Sequence, residues 1–178
     1  QDRIHDVSFE VRTGEVLGIT GLMGAGRTEL AHLLAGITKP DSGKILLDDR
    51  AVSFNGPRQA IDAGTCLLTE DRKNQGLVLQ HGALDNFGLP NLDRYTKRGW
   101  LHNSRESKAY RHYIDQLQIK VAGPQQKAGQ LSGGNQQKLV LAKWLERDCR
   151  IIIIDEPTRG IDIGAKYEIY LLINQLVA

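Results

Sequence analysis

A glycine-rich stretch near the start of the chain has the residue types of an anion-binding loop. It reads GLMGAGRT, residues 21–28, and follows an apolar run, residues 16–20, that predicts a buried strand. A helical pattern follows over residues 29–35. Glycines let successive backbone N–H groups turn toward an anion, and a helix N-terminus adds partial positive charge. Strand, loop and helix in this order predict a phosphate-binding loop, although an ordinary glycine-rich turn is the alternative.

A second candidate anion site lies at residues 131–138, LSGGNQQK, ahead of a helix predicted over residues 139–145. Ser132, Gly133 and Gly134 at a helix start can offer backbone N–H groups to a second anion. A plain serine-capped helix is the alternative, because serine is common at helix starts. One anion cradle per nucleotide is usual, so a second one in the same chain needs an explanation.

The third stretch is IIIIDEP, residues 151–157, which predicts a strand buried on both faces, as in a parallel sheet. Asp155 at its carboxyl end can hold Mg²⁺ together with Thr28 from the glycine loop. Glu156 can orient or deprotonate a water molecule. Taken alone, such an acidic pair is more often part of a turn. Downstream of a phosphate loop it predicts a magnesium ligand and a catalytic base.

These stretches need an α/β framework to bring them together. We expect one domain over residues 1–178, with a core from about 1–79 and 148–178 and a helical insertion from about 80–147. The strands over residues 16–20, 65–69 and 151–154 are predicted to share one sheet. Other predicted elements are strands 7–11 and 44–47, a helix 58–63, a turn with Leu84 and Phe87, and a helix capped by Ser104 whose buried face carries Tyr110, Tyr113, Ile114 and Leu117.

Composition narrows the classes of function. A net charge of +2 on 178 residues gives no support for a nucleic-acid partner, and none is expected. Cys66 and Cys149 predict buried thiols in a reducing compartment. No apolar run approaches the roughly 20 residues that cross a bilayer, and no signal peptide is visible. Because the sequence starts at Gln1 and stops within a helical pattern at Ala178, we expect a piece of a longer protein.

Together the three stretches resemble the nucleotide-binding domain of the ATP-binding cassette (ABC) family. Residues 21–28 resemble its Walker A motif, residues 131–138 its signature, and residues 151–157 its Walker B motif. Residues 160–162 lie where the family has its D-loop. GLMGAGRTEL, TEDRKNQGL, LSGGNQQK and DEPTRGIDIGAK further resemble the second, C-terminal cassette of bacterial ribose-, galactose- and xylose-type sugar importers.

The resemblance implies an ATP hydrolase with the P-loop NTPase fold, a mostly parallel sheet with flanking helices, and ATP and Mg²⁺ as cofactors. It implies as partners a second ATP-binding cassette, membrane permease subunits and, indirectly, a periplasmic sugar-binding protein. The chain would lie peripherally on the cytoplasmic face of the inner membrane. The implied site residues are Gly21, Gly24, Ala25, Gly26, Arg27, Thr28 and Glu70 for nucleotide; Thr28 and Asp155 for metal; Glu156 for catalysis; Ser132, Gly133, Gly134 and Gln136 for the partner's ATP; and Asp162 in the D-loop.

Several positions depart from the family pattern. Arg27 replaces the loop lysine, and Glu70 replaces a glutamine that senses phosphate. Residues 1–5 offer only His5 as an adenine-stacking ring, and the switch histidine would lie beyond Ala178. We therefore expect the nucleotide site that this chain itself forms to be partly degenerate, and the isolated chain to be inactive. The signature is expected to complete the nucleotide site of the partner cassette. A soluble cassette ATPase of the DNA-repair or translation type, or a nucleotide-gated assembly module without turnover, remains an alternative.

Overall fold

The computed structural model describes residues 4–177, in which helices and three two-stranded sheets alternate. A π-helical turn spans Arg72–Gly76, and 3₁₀ turns span Leu89–Asn91 and Ala128–Gln130. The strands are β1 Ile45–Leu47, β2 Arg50–Val52, β3 Thr65–Leu68, β4 Thr96–Lys97, β5 Trp100–Leu101 and β6 Ile151–Ile154. The helices are α1 Arg27–Leu34, α2 Pro57–Asp62, α3 Ala83–Gly88, α4 Leu92–Tyr95, α5 Asn103–Gln116, α6 Gly133–Glu146 and α7 Ile163–Val177.

The parallel pair of β3 and β6 positions the candidate catalytic residues. The two strands run in register from Thr65 opposite Ile151 to Leu68 opposite Ile154. This pairing confirms that the two apolar runs share a sheet. Both strands end at the same edge, so residues 69–70 and 155–156, which follow them, emerge side by side.

The expected burial of β6 on both faces is wrong. Ile151 is 40% exposed, and the other three isoleucines are only half-buried. Within residues 4–177, β6 has β3 as its single strand neighbour, so its other edge is not covered by a strand.

The strands expected over residues 7–11 and 16–20 are also not found among the described residues. The chain turns at Gly14, but Val16 and Ile19 are each about half exposed, at 55% and 49%. Alternation and apolar character indicate that a segment can form a strand. A strand also needs a neighbouring backbone for its N–H and C=O groups, and β3 and β6 pair with each other instead.

The hydrophobic core lies between β3 and the helices α3, α5 and α6. Phe87 on α3 is fully buried and packs edge-on against Tyr110 of α5, with ring centroids 5.8 Å apart. These contacts confirm the predicted apolar faces of α3 and α5. The boundaries of core and insertion near residues 80 and 147 stay predictions.

Two details of the helical region differ from expectation. α5 begins at Asn103, with His102 at the capping position, so Ser104 lies inside the first turn and does not cap the helix. A short antiparallel hairpin, β4 and β5, lies where no strand was predicted. Two-residue strands are too short to leave a sequence pattern.

No helix within residues 4–177 combines the length and apolar character that crossing a membrane requires.

Candidate nucleotide-binding site

The glycine loop leads directly into α1, which begins at Arg27, two residues earlier than predicted. Gly24 and Gly26 have φ of 80° and 87°, a left-handed backbone that favours glycine. The Ala25 N–H donates to the Leu22 carbonyl at 3.1 Å, which closes a turn. Gly26 occupies the capping position and supplies no side chain to the first N–H groups of α1. Those groups can therefore serve an anion, as the sequence predicts.

The loop and the end of β6 meet through Thr28 and Asp155. The Thr28 hydroxyl donates to Asp155 Oδ2 at 2.8 Å, and both side chains are partly buried. The two residues lie 127 positions apart in the chain, so the fold itself creates this contact.

Thr28 and Asp155 line a small cleft of ≈ 160 Å³, together with Thr69 and Glu70 from the end of β3. The Thr69 hydroxyl is buried and has no hydrogen-bond partner among the described residues. His32 of α1 also faces the cleft, and nothing in its sequence context indicated this position. The cleft thus gathers oxygen ligands around the start of α1.

These oxygens suit a magnesium ion. Residues 4–177 contain no cluster of three or more His, Cys, Asp or Glu side chains arranged to hold a metal alone. A hydroxyl beside one carboxylate, with phosphates and water completing the shell, is the arrangement in which Mg²⁺ is commonly bound. Thr28 and Asp155 fit that donor set.

Arg27 approaches the candidate catalytic base. Its Nη2 lies 3.5 Å from Glu156 Oε1, and the two side chains are 34% and 41% exposed. Glu156 has a φ of 45°, in the left-handed region that few non-glycine residues adopt. The cation of the glycine loop therefore interacts with the carboxylate that follows Asp155.

Glu70 forms an ion pair with Arg159, in the segment after β6. Glu70 is the more buried partner, with 27% of its side chain exposed against 62% for Arg159. A carboxylate at this position repels phosphate more than the amide of glutamine would. The ion pair offsets that charge within the chain, and no sequence signal singled out Arg159.

The predicted second anion site begins α6. Ser132 is the N-cap residue, and its hydroxyl accepts hydrogen bonds from the Asn135 backbone N–H at 3.4 Å and from Asn135 Nδ2 at 2.8 Å. Asn135 Oδ1 in turn accepts from the Lys120 N–H at 2.8 Å. Ser132 is exposed, so the start of α6 faces outward while Asn135 ties it to the loop before it.

The two signature glycines allow close packing. A Cβ at Gly133 would lie 3.0 Å from the Gly160 carbonyl oxygen, and one at Gly134 would lie 2.7 Å from Cβ of Ala165. Both distances are too short for ordinary contact. The start of α6 thus packs directly against the D-loop segment and α7.

Gln136 does not lie where a partner's nucleotide could reach it. Only 3% of it is exposed, and its Nε2 donates to the Ala128 carbonyl at 3.0 Å. Its Oε1 accepts from Nε of Arg72 at 3.4 Å. The expected contact of this side chain with the partner's ATP is corrected on these grounds, because helical periodicity turns position 136 inward while Ser132 stays outside.

Asp162 is exposed and caps α7, since its Oδ1 accepts from the Ala165 N–H at 2.9 Å. The predicted D-loop residue therefore caps a helix of its own chain. The cap fixes the point at which the chain leaves the D-loop and enters α7.

A buried titratable cluster includes Cys66 of β3, Lys143 of α6 and Cys149. A hydrogen bond with Cys149 and burial both raise the pKa of the Cys66 thiol. Burial lowers the pKa of Lys143 to about 8, and its ammonium donates to the Gly76 carbonyl. Cys66 is buried as predicted, whereas Cys149 is half-buried, and both are free thiols.

Solved structures share this fold. A nucleotide-free ATP-binding cassette from an ABC transporter superposes with a TM-score of 0.83 and 22% identity, covering 98% of this chain and 71% of that one. A dimeric ATP-binding cassette in a post-hydrolysis state, bound to ADP and Pi, superposes with a TM-score of 0.82 and 22% identity, covering 98% of this chain and 75% of that one. The predicted fold class, an α/β P-loop NTPase cassette, is thereby confirmed.

The family model described as "ABC transporter" matches residues 4–159, and the chain belongs to the ABC transporter family. It is 47% identical over 171 residues to the ribose import ATP-binding protein RbsA of Halalkalibacterium halodurans, covering 96% of this chain and 34% of that protein. The protein of the same name from Geobacillus kaustophilus is 48% identical over 173 residues, covering 97% and 35%. The chain thus spans about a third of the length of the curated relatives it matches.

Proposed function

We propose that this chain is an ATP-binding and ATP-hydrolysing cassette of an importer for ribose or a similar monosaccharide. The observation that carries the proposal is the 2.8 Å contact between Thr28 and Asp155, which joins the glycine loop to the end of β6. The names of the relatives, ribose import ATP-binding proteins, support the sugar and the import role. The partners are then a second cassette, permease subunits and, indirectly, a periplasmic sugar-binding protein, at the cytoplasmic face of the inner membrane.

In this proposal the nucleotide that this cassette itself binds lies at the N-terminus of α1. The N–H groups of Gly21, Gly24 and Gly26 would surround the phosphates, Ala25 closes the turn that shapes the loop, and Arg27 and Glu70 would flank the nucleotide. Thr28 and Asp155 hold Mg²⁺, which when bound neutralises phosphate charge. The unpartnered Thr69 hydroxyl is a further donor at the same cleft.

Turnover at this own site is proposed to be slow. Glu156 is the residue proposed to orient or deprotonate a water, but its Oε1 lies 3.5 Å from Nη2 of Arg27. A guanidinium is wider and more weakly hydrated than the ammonium of lysine, and it pairs readily with carboxylates. The ion pair turns the carboxylate toward the loop cation, so the carboxylate is less free to orient a water. The site therefore favours binding over hydrolysis.

The start of α6 is proposed to complete the partner cassette's site. Ser132 is exposed at the N-terminus of the 14-residue helix α6, where the helix dipole favours an anion. Gly133 and Gly134 add no side chain, which lets the D-loop segment and α7 pack against the start of α6 beside Ser132. Asp162 follows in the D-loop, next to the same surface.

The test uses vesicles that contain the complete subunit and its permease. We expect ribose uptake with MgATP and none with a non-hydrolysable analogue. Uptake that is indifferent to ATP would contradict the importer assignment. ATP binding without hydrolysis, whichever sugar is added, would favour the alternative of a nucleotide-gated assembly module. The Arg27–Glu156 pair is the observation that supports this alternative.

A second measurement addresses the site. Asp155→Asn is expected to lower photolabelling of this cassette by azido-ATP about tenfold, since one charge-assisted ligand of the cation is lost. Asp48→Asn is the matched control, because Asp48 is an exposed carboxylate paired with Arg150 on the surface. Equal labelling of both variants would contradict the placement of the nucleotide at Thr28 and Asp155.

A further inference from the structure

A buried arginine joins three segments that the candidate sites use. Arg72 lies in the π-helical turn Arg72–Gly76, two residues after Glu70, and is 7% exposed. Its Nη1 donates to the Arg159 carbonyl at 2.7 Å, and its Nη2 donates to the Gly160 carbonyl at 3.1 Å. Both carbonyls belong to the segment that enters the D-loop, so one guanidinium holds two consecutive peptide units.

The same guanidinium reaches the signature helix. Its Nε donates to Gln136 Oε1 at 3.4 Å, and the Gln136 amide is oriented by its bond to the Ala128 carbonyl. Gly133 leaves room for the arginine, because a Cβ there would lie 2.8 Å from Nη2. The side chain therefore lies between the D-loop segment and the first turn of α6.

The geometry requires arginine. A guanidinium presents five N–H donors in a fixed planar fork, whereas an ammonium is a point charge on a flexible chain. Gly160 has a φ of 65°, a backbone turn that suits glycine and directs its carbonyl to the fork. Among the ion pairs of residues 4–177, none includes Arg72, so carbonyl and amide oxygens satisfy its charge. Burial lowers the pKa of Arg72, which the neighbouring Asp71 carboxylate opposes.

We propose that Arg72 is a positioning residue that fixes the D-loop, residues 160–162, to the signature helix α6. The two segments then meet the partner cassette's nucleotide as one rigid surface. Glu70 adds a link from the own cleft, because its ion pair with Arg159 holds the same segment. This inference rests on the proposed function, in which Ser132 and Asp162 face the partner's site.

The test uses the complete subunit assembled with its permease. Arg72→Lys is expected to lower kcat for ATP about tenfold or more, because small misplacements of catalytic groups cost that much. The KM for ATP is expected to stay within about twofold, since Arg72 is buried and does not line the cleft of Thr28 and Asp155. Arg72→Met should lower kcat further. The matched control is Arg94→Lys, an arginine that donates to a carbonyl at the far end of α6, Glu146, at 2.6 Å.

Hydrogen exchange gives a readout that does not depend on turnover. In the nucleotide-free complex, amides 160–163 should exchange faster in Arg72→Lys than in the wild type, while amides 139–145 within α6 stay equally protected. If the wild-type complex hydrolyses no ATP, the proposed function fails, yet the exchange experiment still tests Arg72.

The inference would be overturned by a kcat in Arg72→Lys within about twofold of the wild type, by a change confined to KM, or by faster exchange spread evenly over α6. Failure of both Arg72 variants to fold would also overturn it, since a positioning role requires an intact α6. The control should leave kcat, KM and exchange unchanged.

Discussion

Replacing Gly134 by alanine tests the close approach of the signature helix to α7. The new Cβ would lie 2.7 Å from Cβ of Ala165, about 1 Å inside the usual separation of two carbon atoms. Both atoms are attached to helix backbone, so the helices must separate. Overpacking of this kind lowers the free energy of unfolding by about 1–3 kcal/mol. The higher helix propensity of alanine offsets up to about 1 kcal/mol of this loss.

A double-mutant cycle isolates the clash. Ala165→Gly removes the opposing methyl group, and the propensity terms cancel when both changes are combined. We expect a coupling of about 1–3 kcal/mol in the free energy of unfolding, measured by urea denaturation. Gly123→Ala is the control, because no atom lies within 4 Å of a Cβ there. A coupling below about 0.3 kcal/mol would show that the helices do not meet as described.

Three further predictions concern the cleft and the buried cluster. Thr28→Val, nearly equal in size, should weaken ATP binding about tenfold when Mg²⁺ is present and much less in its absence; equal weakening, measured by fluorescence titration, would remove the metal role. Glu70→Gln should change the free energy of unfolding by less than about 1 kcal/mol, because the Arg159 pair is partly exposed; a thermal shift of more than about 5 °C would contradict this. The pKa of Lys143 is lower in the folded than in the unfolded protein, so the unfolded state binds more protons between pH 8 and 10. As the pH rises through this range, the wild type should therefore gain stability relative to Lys143→Met, by at most about 1.4 kcal/mol per pH unit. Curves of unfolding free energy against pH that run parallel for the two proteins would contradict the lowered pKa.

The parts of the site that sequence could predict share one property: each depends on local pattern. Glycines followed by a helical pattern predicted the loop before α1, and serine with two glycines predicted the N-terminus of α6. The apolar runs over residues 65–69 and 151–154 predicted that β3 and β6 share a sheet. The resemblance of residues 21–28 and 151–157 to the Walker A and Walker B motifs predicted that Thr28 and Asp155 meet.

What could not be predicted depends on which partner a residue finds. Arg72 and Arg159 belong to charged stretches that look like solvated surface, yet one is buried under α6 and the other pairs with Glu70. Residues 16–20 have the composition of a strand but lack a neighbouring strand among residues 4–177. The inward side chain of Gln136 follows from the rotation of α6, which its motif alone does not define.

The central claim is a division of labour, in which this cassette's signature serves a partner's nucleotide while its own site turns over slowly. The direct measurement is the steady-state ATPase rate of the complete complex carrying either Ser132→Arg or Arg27→Lys. Ser132→Arg places a bulky side chain at the exposed start of α6 and is expected to abolish most turnover by blocking closure. Arg27→Lys is expected to change turnover little, because a lysine cation can still pair with Glu156 and Glu70 still replaces the family's glutamine. Near-normal turnover in Ser132→Arg, with a severalfold increase in Arg27→Lys, would show that the roles are reversed.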